Sequence, residues 1–135
     1  PLRSGLFQGA YDEATNELVY AELLARADHV LASWRSVILD ASFRSRAHRD
    51  ATLELAERHG APALFVECRC SDETVRERLR AREKGPSISD GRNELRESFQ
   101  RSFDPLDLPE SVHCVVDTER PLAENVERVL NRLFA

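Results

Sequence analysis

The stretch Ser36-Val37-Ile38-Leu39-Asp40 decides the fold class, because it is a short apolar run with two β-branched residues that ends in a carboxylate. Such a run is typical of a strand that is buried on both faces of a parallel sheet. Two similar runs follow, at residues 62–68 and 112–117. The sequence therefore predicts at least three strands.

Helical patterns alternate with these strands. They are predicted at residues 12–33, 45–59 and 72–83, in a short segment around Leu95 and Phe99, and in a last helix that Pro121 opens. Gly60 is expected to end the second helix, and Ser71 to cap the third. The inner face of the last helix is predicted to consist of Leu122, Val126, Val129, Leu130 and Leu133. The alternation predicts a three-layer α/β domain, a parallel sheet with helices on both faces, spanning residues 1–135 as one domain.

Composition excludes several classes of protein. A net charge of −5 over 135 residues argues against a general nucleic-acid binder, which needs clustered positive charge. No apolar run approaches the roughly 20 residues that cross a bilayer, and no signal peptide is recognisable, so we expect a cytoplasmic protein with no membrane partner. The three cysteines are expected to be reduced structural thiols rather than disulfide partners or zinc ligands.

Parallel sheets bind ligands at the carboxyl ends of their strands. The polar groups predicted there are Asp40, Ser42, Arg44, Arg46, Arg69, Asp117 and Thr118. Asp40 follows its strand directly, where an acid can orient a magnesium ion or activate a hydroxyl group. The alternative is an ordinary aspartate that stabilises a loop.

A second candidate is the arginine-rich helix at residues 72–83. Arg78 and Arg82 lie one turn apart on the same face, so both can point toward one anion. The alternative is a solvated face, since glutamates at three nearby positions can pair with the arginines. The four histidines show no metal-ligand spacing, and no metal ligands are assigned; His113 is expected to pack in its strand.

Several of these motifs, in this order, resemble a family of bacterial P-loop kinases related to gluconate kinases and zeta toxins, often fused behind an aminoglycoside phosphotransferase-like domain. The motifs are residues 36–43, 46–49, 65–69, 78–82, 103–106 and 115–118. The resemblance implies transfer of the γ-phosphate of ATP, with Mg²⁺, to a hydroxyl group of a small molecule.

By position, the resemblance assigns three sets of residues. Those implied in catalysis are Asp40, Arg78 and Arg82, and those implied in nucleotide binding are Arg78, Arg82, Asp117 and Thr118, with Pro121 nearby. Residues 84–91 resemble the lid of the family. Ser42, Arg46 and Tyr11, with Tyr20, are expected on the acceptor side.

One motif of the family is missing from these residues. The Gly-x-x-x-x-Gly-Lys-Ser/Thr loop that cradles phosphates does not occur, and the only lysine, Lys84, follows no such loop. In the family, the strand before that loop lies between the strands at 37–40 and 64–68, whose edges would otherwise be unpaired. We therefore expect a fragment that is inactive alone, completed by an upstream segment or a strand from a partner chain. Alternatively, those two strands pair directly.

Other functions remain open on the sequence alone. A non-catalytic interaction or regulatory module would keep the fold and lose nucleotide handling. A toxin-like kinase acting on nucleotide sugars would differ only in its acceptor.

Overall fold

The computed structural model describes residues 13–82 and 103–135. The chain divides into two compact units, Pro1–Ala61 and Pro62–Ala135, and each is described by itself. Tyr11, the lid segment at 84–91 and the short helix around Leu95 lie outside the described residues, so the expectations for them stay predictions. The same holds for the assignment of the whole chain to one domain.

The first unit is built on two helices, α1 (Glu13–Ala32) and α2 (Arg46–Arg58). His48 Nε2 lies 2.8 Å from Glu17 Oε1, and His59 Nε2 lies 2.5 Å from Asp28 Oδ1. The first pair joins the starts of the two helices and the second joins their ends, so α1 and α2 run parallel. The buried apolar side chains of the two helices are Tyr20, Ala27, Leu55 and Ala56.

Both helices end in the same backbone motif. After α2, the Gly60 N–H donates to Glu57 O and the Ala61 N–H to Ala56 O, and Gly60 takes a φ of 61°. This is a Schellman motif with glycine in the left-handed position, as the sequence predicts. After α1 the equivalent position is occupied by Trp34, with a φ of 60°. A bulky residue in this conformation costs roughly 1–2 kcal/mol relative to glycine.

The predicted strand at residues 36–40 is wrong, because the described structure has no strand there. The backbone groups of these five residues make no backbone hydrogen bond to any described residue. Exposure nevertheless alternates: Ser36, Ile38 and Asp40 are exposed, while Val37 and Leu39 are half-buried. The segment has the pattern of a strand without a neighbour to pair with, and neither the expected third strand nor the direct pairing alternative is found.

The second unit contains a two-stranded parallel sheet. β1 (Phe65–Arg69) pairs with β2 (His113–Asp117), and the register runs from Phe65↔His113 to Arg69↔Asp117. The described residues of this unit also form three helical segments: α3 (Asp72–Arg82), a 3-10 turn (Glu110–Val112) and α4 (Leu122–Phe134). The predicted α/β class and parallel pairing are confirmed. Three layers with a wider sheet are not found among the described residues.

The predicted inner face of α4 is largely wrong. The helix packs against β2, whose Cys114 and Val116 are buried. Only Asn125 and Val129 of α4 are half-buried, whereas the other apolar positions are exposed: Leu122, Val126, Leu130 and Leu133. Two strands are narrower than the apolar face of this helix, so only one strip of the face finds a partner in the described residues.

A cluster of three polar side chains connects the two strands. Glu67 accepts two hydrogen bonds from Arg69, at 2.7 and 3.0 Å, and lies 2.8 Å from His113 Nε2. Burial raises the pKa of Glu67, but the hydrogen bonds from Arg69 and His113 outweigh it and hold that pKa below its ordinary value. His113 is therefore tied to a carboxylate rather than simply packed.

Two further observations concern the chain as a whole. Within the part of the chain that the structure describes, no helix has the length and apolar character needed to cross a membrane. All three cysteine thiols are free: Cys68 is exposed, Cys70 half-buried and Cys114 buried.

Candidate functional site

The carboxyl ends of β1 and β2 carry a polar network that we call the Thr118 cluster: Arg69, Ser71, Thr74, Arg78, Asp117, Thr118 and Glu119. Thr118 immediately follows β2, and its N–H donates to Arg69 O at 2.8 Å. The Arg78 guanidinium donates to Thr118 Oγ1 at 2.7 Å and to Thr118 O at 2.8 Å. The structure thus brings together two residues that the resemblance assigns to the nucleotide.

Glu119 joins this cluster to the start of α3. Its carboxylate accepts the Ser71 N–H at 2.8 Å and the Thr74 hydroxyl at 2.6 Å. The hydrogen bond from Thr74 lowers the pKa of Glu119, the Ser71 N–H lowers it further, and the charge of Arg78 contributes. Ser71 Oγ also accepts the Thr74 N–H at 3.2 Å, which confirms the predicted cap of α3.

Asp117 is used to shape the turn after β2. Its carboxylate accepts the Glu119 N–H at 2.9 Å, and its backbone oxygen accepts the Asn125 side-chain amide at 2.8 Å. The carboxylate keeps a second oxygen for other partners. Asp117 is exposed, so a ligand at the strand ends can reach it.

The two predicted arginines differ in their surroundings. Arg78 donates to a hydroxyl group and a carbonyl, so neither of these contacts neutralises its charge. Arg82 is the last residue of α3, is exposed, and has no hydrogen-bond partner among the described residues. Because a guanidinium carries five N–H donors, both side chains have donors left for an anion. Helical spacing places them on one face of α3, as the sequence predicts.

The first unit contains a second network, which we call the Tyr20 cluster: Tyr20, Ser42, Phe43, His48 and Arg49. The Phe43 N–H donates to Tyr20 Oη at 2.9 Å, and Ser42 Oγ lies 3.3 Å from the same oxygen. Arg49, only 1% exposed, donates to Phe43 O at 2.7 Å. Phe43 itself has a φ of 46°, so both of its backbone polar groups are held in a left-handed turn.

Aromatic contacts fix the ring of Tyr20. His48 stacks on it with ring centroids 3.8 Å apart, and Phe43 meets it edge-on at 5.4 Å. His48 Nε2 is held by Glu17, whereas Nδ1 is buried and has no partner among the described residues. The ring of Tyr20 is therefore clamped on two sides and its hydroxyl group is aimed at the turn.

The turn held by this cluster carries the predicted acceptor-side residues. Asp40 and Ser42 are exposed on it, and Asp40 makes no hydrogen bond or ion pair with another described residue. Arg46 is the first residue of α2. Tyr20, expected near the acceptor, does lie beside Ser42. The two clusters belong to separate units, and each is described by itself.

Several residues of these networks were not predicted, among them Arg49, His48 and Glu119. Arg49 and His48 stand in the 46–49 motif, so their spacing after Phe43 is a signal that could have pointed to them. Glu119 has no such signal, because its partner Ser71 is 48 residues away. Among residues 13–82 and 103–135 there is no group of three histidine, cysteine or acidic side chains able to hold a metal ion.

One comparison with known proteins gives a match. A family model described as an AAA domain matches residues 3–106, which is most of the sequence. Domains of this type are P-loop NTPase-like, so the match supports nucleotide binding and a P-loop kinase-like family. No curated protein and no solved structure matches the chain.

Proposed function

Because the chain belongs to the AAA domain family, we propose that it takes part in ATP-dependent phosphoryl transfer to a hydroxyl group of a small molecule. The observation that carries the proposal is the Arg78–Thr118 contact at the carboxyl ends of two paired parallel strands. Nucleotides bind at this edge of α/β sheets, and arginine suits phosphate oxygens.

In this proposal the Thr118 cluster receives the nucleotide. Arg78 and Arg82 offer N–H donors to its phosphates, and Asp117 and Thr118 lie along the rest of it. Arginines placed in this way neutralise the charge that spreads over the transferring phosphoryl group. Arg82 is the stronger candidate for this role, because Arg78 already makes two hydrogen bonds within the chain.

The Tyr20 cluster provides the acceptor side. Asp40 orients the acceptor hydroxyl group or a magnesium ion, with Ser42, Arg46 and Tyr11 contacting the acceptor. Magnesium in such enzymes is held by one or two carboxylates together with phosphate oxygens and water, so a single exposed aspartate fits that role. The hydrogen bonds that hold Phe43 restrain the backbone three residues after Asp40, and the Asp40 carboxylate itself is exposed and available to a ligand.

Transfer also requires a phosphate-binding loop, and the Gly-x-x-x-x-Gly-Lys-Ser/Thr motif of such a loop does not occur in these 135 residues. We propose that this loop comes from a segment outside the sequence or from a partner chain. The backbone groups of residues 36–40 are unpaired among the described residues, which supports the proposal that a further strand pairs with this segment.

The proposal is tested in the longest protein that the gene encodes. That protein is incubated with radiolabelled ATP, Mg²⁺ and a panel of sugars, polyols and nucleotide sugars, and labelled products are separated. We expect Asp40→Asn and Arg82→Ala each to lower kcat/KM at least about a hundredfold, as loss of a charged group that acts in the transition state does. Arg26→Ala, on the exposed face of α1, is the matched control and should be neutral.

Transfer that survives both substitutions unchanged would refute the assignment of these residues. If the encoded protein neither binds ATP nor transfers phosphate, the non-catalytic interaction module is the better account. A product formed only with nucleotide sugars would identify the toxin-like kinase.

A further inference from the structure

Glu119 is held both by its backbone and by its side chain. Its N–H donates to Asp117 Oδ1 at 2.9 Å, which fixes the backbone in the turn after β2. Its Oε2 accepts the Ser71 N–H at 2.8 Å, and its Oε1 accepts the Thr74 hydroxyl group at 2.6 Å and lies 3.2 Å from Ser71 Oγ. A carboxylate is favoured at the positive end of a helix dipole. Glu119 therefore fastens the turn after β2 to the N-terminal end of α3.

The residue of α3 that Glu119 holds lies on the same face as the two candidate arginines. Thr74, Arg78 and Arg82 follow one another at intervals of four residues, which places them on one face of the helix. Thr74 contacts Glu119, and Arg78, one turn further, contacts Thr118. Arg82 lies about 12 Å along the axis from Thr74. The contact between Thr74 and Glu119 therefore fixes the face of α3 that carries both arginines relative to the end of β2.

The two contacts between α3 and this turn differ in what a nucleotide would do to them. Arg78 is a cation, and its hydrogen bonds to Thr118 can be exchanged for bonds to phosphate oxygens, which are stronger because both partners are charged. Glu119 is an anion and is repelled by phosphate, so it has no reason to leave Ser71 and Thr74. The hydrogen bond from Thr74 lowers the pKa of Glu119, which keeps its carboxylate ionised at neutral pH.

From these contacts we propose that Glu119 is a positioning residue for the nucleotide: it holds α3 in place while Arg78 exchanges Thr118 for phosphate oxygens. The inference rests on the proposed phosphoryl transfer, because it concerns the nucleotide that this function requires. It adds a residue that the resemblance does not assign. Without Glu119 the ligand itself has to order the start of α3, and that loss of freedom weakens binding.

Nucleotide affinity measures this role in the longest protein that the gene encodes. A non-hydrolysable ATP analogue, AMP-PNP, is titrated with Mg²⁺ by calorimetry into the wild type, Glu119→Ala, Arg78→Ala and the double variant. We expect each single substitution to raise the Kd about tenfold. Because Glu119 acts through Arg78, adding Glu119→Ala to Arg78→Ala should raise the Kd by less than about twofold. A further tenfold rise in the double variant overturns the proposal, since the two residues would then act independently.

Thr74→Val is a second variant that leaves both the carboxylate and Arg78 in place. It removes the hydroxyl donor at 2.6 Å and should raise the Kd about threefold, with no added effect in Arg78→Ala. Glu124→Ala is the matched control, because Glu124 is an exposed glutamate of the same unit whose partner, at 3.0 Å, is Arg120. Its Kd should equal that of the wild type. An unchanged Kd for Thr74→Val overturns the part of the proposal that assigns the tether to this contact.

Steady-state kinetics separate positioning from a general loss of structure. Glu119→Ala should raise the KM for ATP and leave the KM for the acceptor unchanged, whereas a damaged fold would raise both. A wild type that does not bind AMP-PNP overturns the proposed function and this inference together. If the wild type binds the analogue and transfers phosphate while Glu119→Ala binds as tightly or more tightly, only the role of Glu119 is overturned.

Discussion

The Tyr20 cluster and the Thr118 cluster use the same kinds of hydrogen bond in opposite settings. In the first, Arg49 and Tyr20 are buried, and they hold both backbone groups of Phe43. In the second, Arg78 is exposed and Thr118 is half-buried. A buried polar group that loses its partner cannot turn to water, whereas an exposed one can. The first network therefore shapes the protein, and the second is able to exchange its partners for a ligand.

The largest expected effect comes from removing the buried arginine. Arg49→Ala should lower the free energy of unfolding by about 3 kcal/mol, because it leaves Phe43 O without its donor and opens a cavity. Urea titration followed by circular dichroism measures this. Arg26→Ala, which breaks an exposed ion pair with Glu22 at 2.7 Å, should cost less than about 0.5 kcal/mol. Equal losses of unfolding free energy in the two variants would show that burial does not decide how much an arginine stabilises this fold.

Tyr20→Phe removes one atom from the same network. We expect a loss of about 1–2 kcal/mol, because the buried Phe43 N–H loses its acceptor while the ring contacts remain. Ser42→Ala removes the other polar partner of the Tyr20 hydroxyl group. Ser42 is exposed and its contact with Tyr20 Oη is longer, at 3.3 Å, so the expected loss is about 0.5 kcal/mol. The same urea titration compares the two variants. A larger loss for Ser42→Ala would mean that the contact between Tyr20 and Ser42 stabilises the fold more than the hydrogen bond from the Phe43 N–H does.

Glu119→Gln tests the Thr118 cluster through the pH dependence of stability. Since folding lowers the pKa of Glu119, its contribution is present above the ordinary glutamate pKa and is lost as pH falls through the lower folded value. Stability should therefore fall less in Glu119→Gln than in the wild type between about pH 5 and pH 3. Urea midpoints at a series of pH values measure the slope, with Glu22→Gln as the control. Identical slopes for Glu119→Gln and the wild type would contradict this.

The smallest effect is expected at Arg78. Arg78→Ala should change the free energy of unfolding by no more than about 0.5 kcal/mol, because water replaces the partners of an exposed guanidinium. Arg78→Ala and Arg49→Ala are measured in the same urea titration, because the difference between their losses of unfolding free energy compares an exposed arginine directly with a buried one. A loss for Arg78→Ala as large as that for Arg49→Ala would make the Thr118 cluster a structural network rather than a ligand-exchanging one.

What the sequence predicts well is local chemistry. Ser71 caps α3 and Gly60 ends α2 because each acts on backbone groups within a few residues of itself. The strands β1 and β2 were recognised from apolar runs bounded by turn residues. The unpaired segment at 36–40 has the same kind of run, and the sequence contains no sign of whether a neighbour is there to pair with it.

The sites are harder to predict than the elements. Asp117 and Thr118 were placed correctly at the end of a sheet strand, because parallel strands bring their carboxyl ends together, whereas Arg78 was assigned to the nucleotide only by the resemblance. Their hydrogen bonds were not predicted: Arg78 reaches Thr118 across 40 residues of sequence, and Tyr20 reaches Phe43 across 23. Such contacts depend on packing and leave no periodic signal.

The parallel course of α1 and α2 fixes how the chain between them must travel. The end of α1 and the start of α2 lie at opposite ends of the helix pair, since Glu17 meets His48 and Asp28 meets His59. The connection must therefore return about 22 Å along α1. Residues 33–45 reach about 43 Å when fully extended, so about half of that reach is slack. A connection of fewer than about seven residues would be too short, and deletions in it should be tolerated only down to that length.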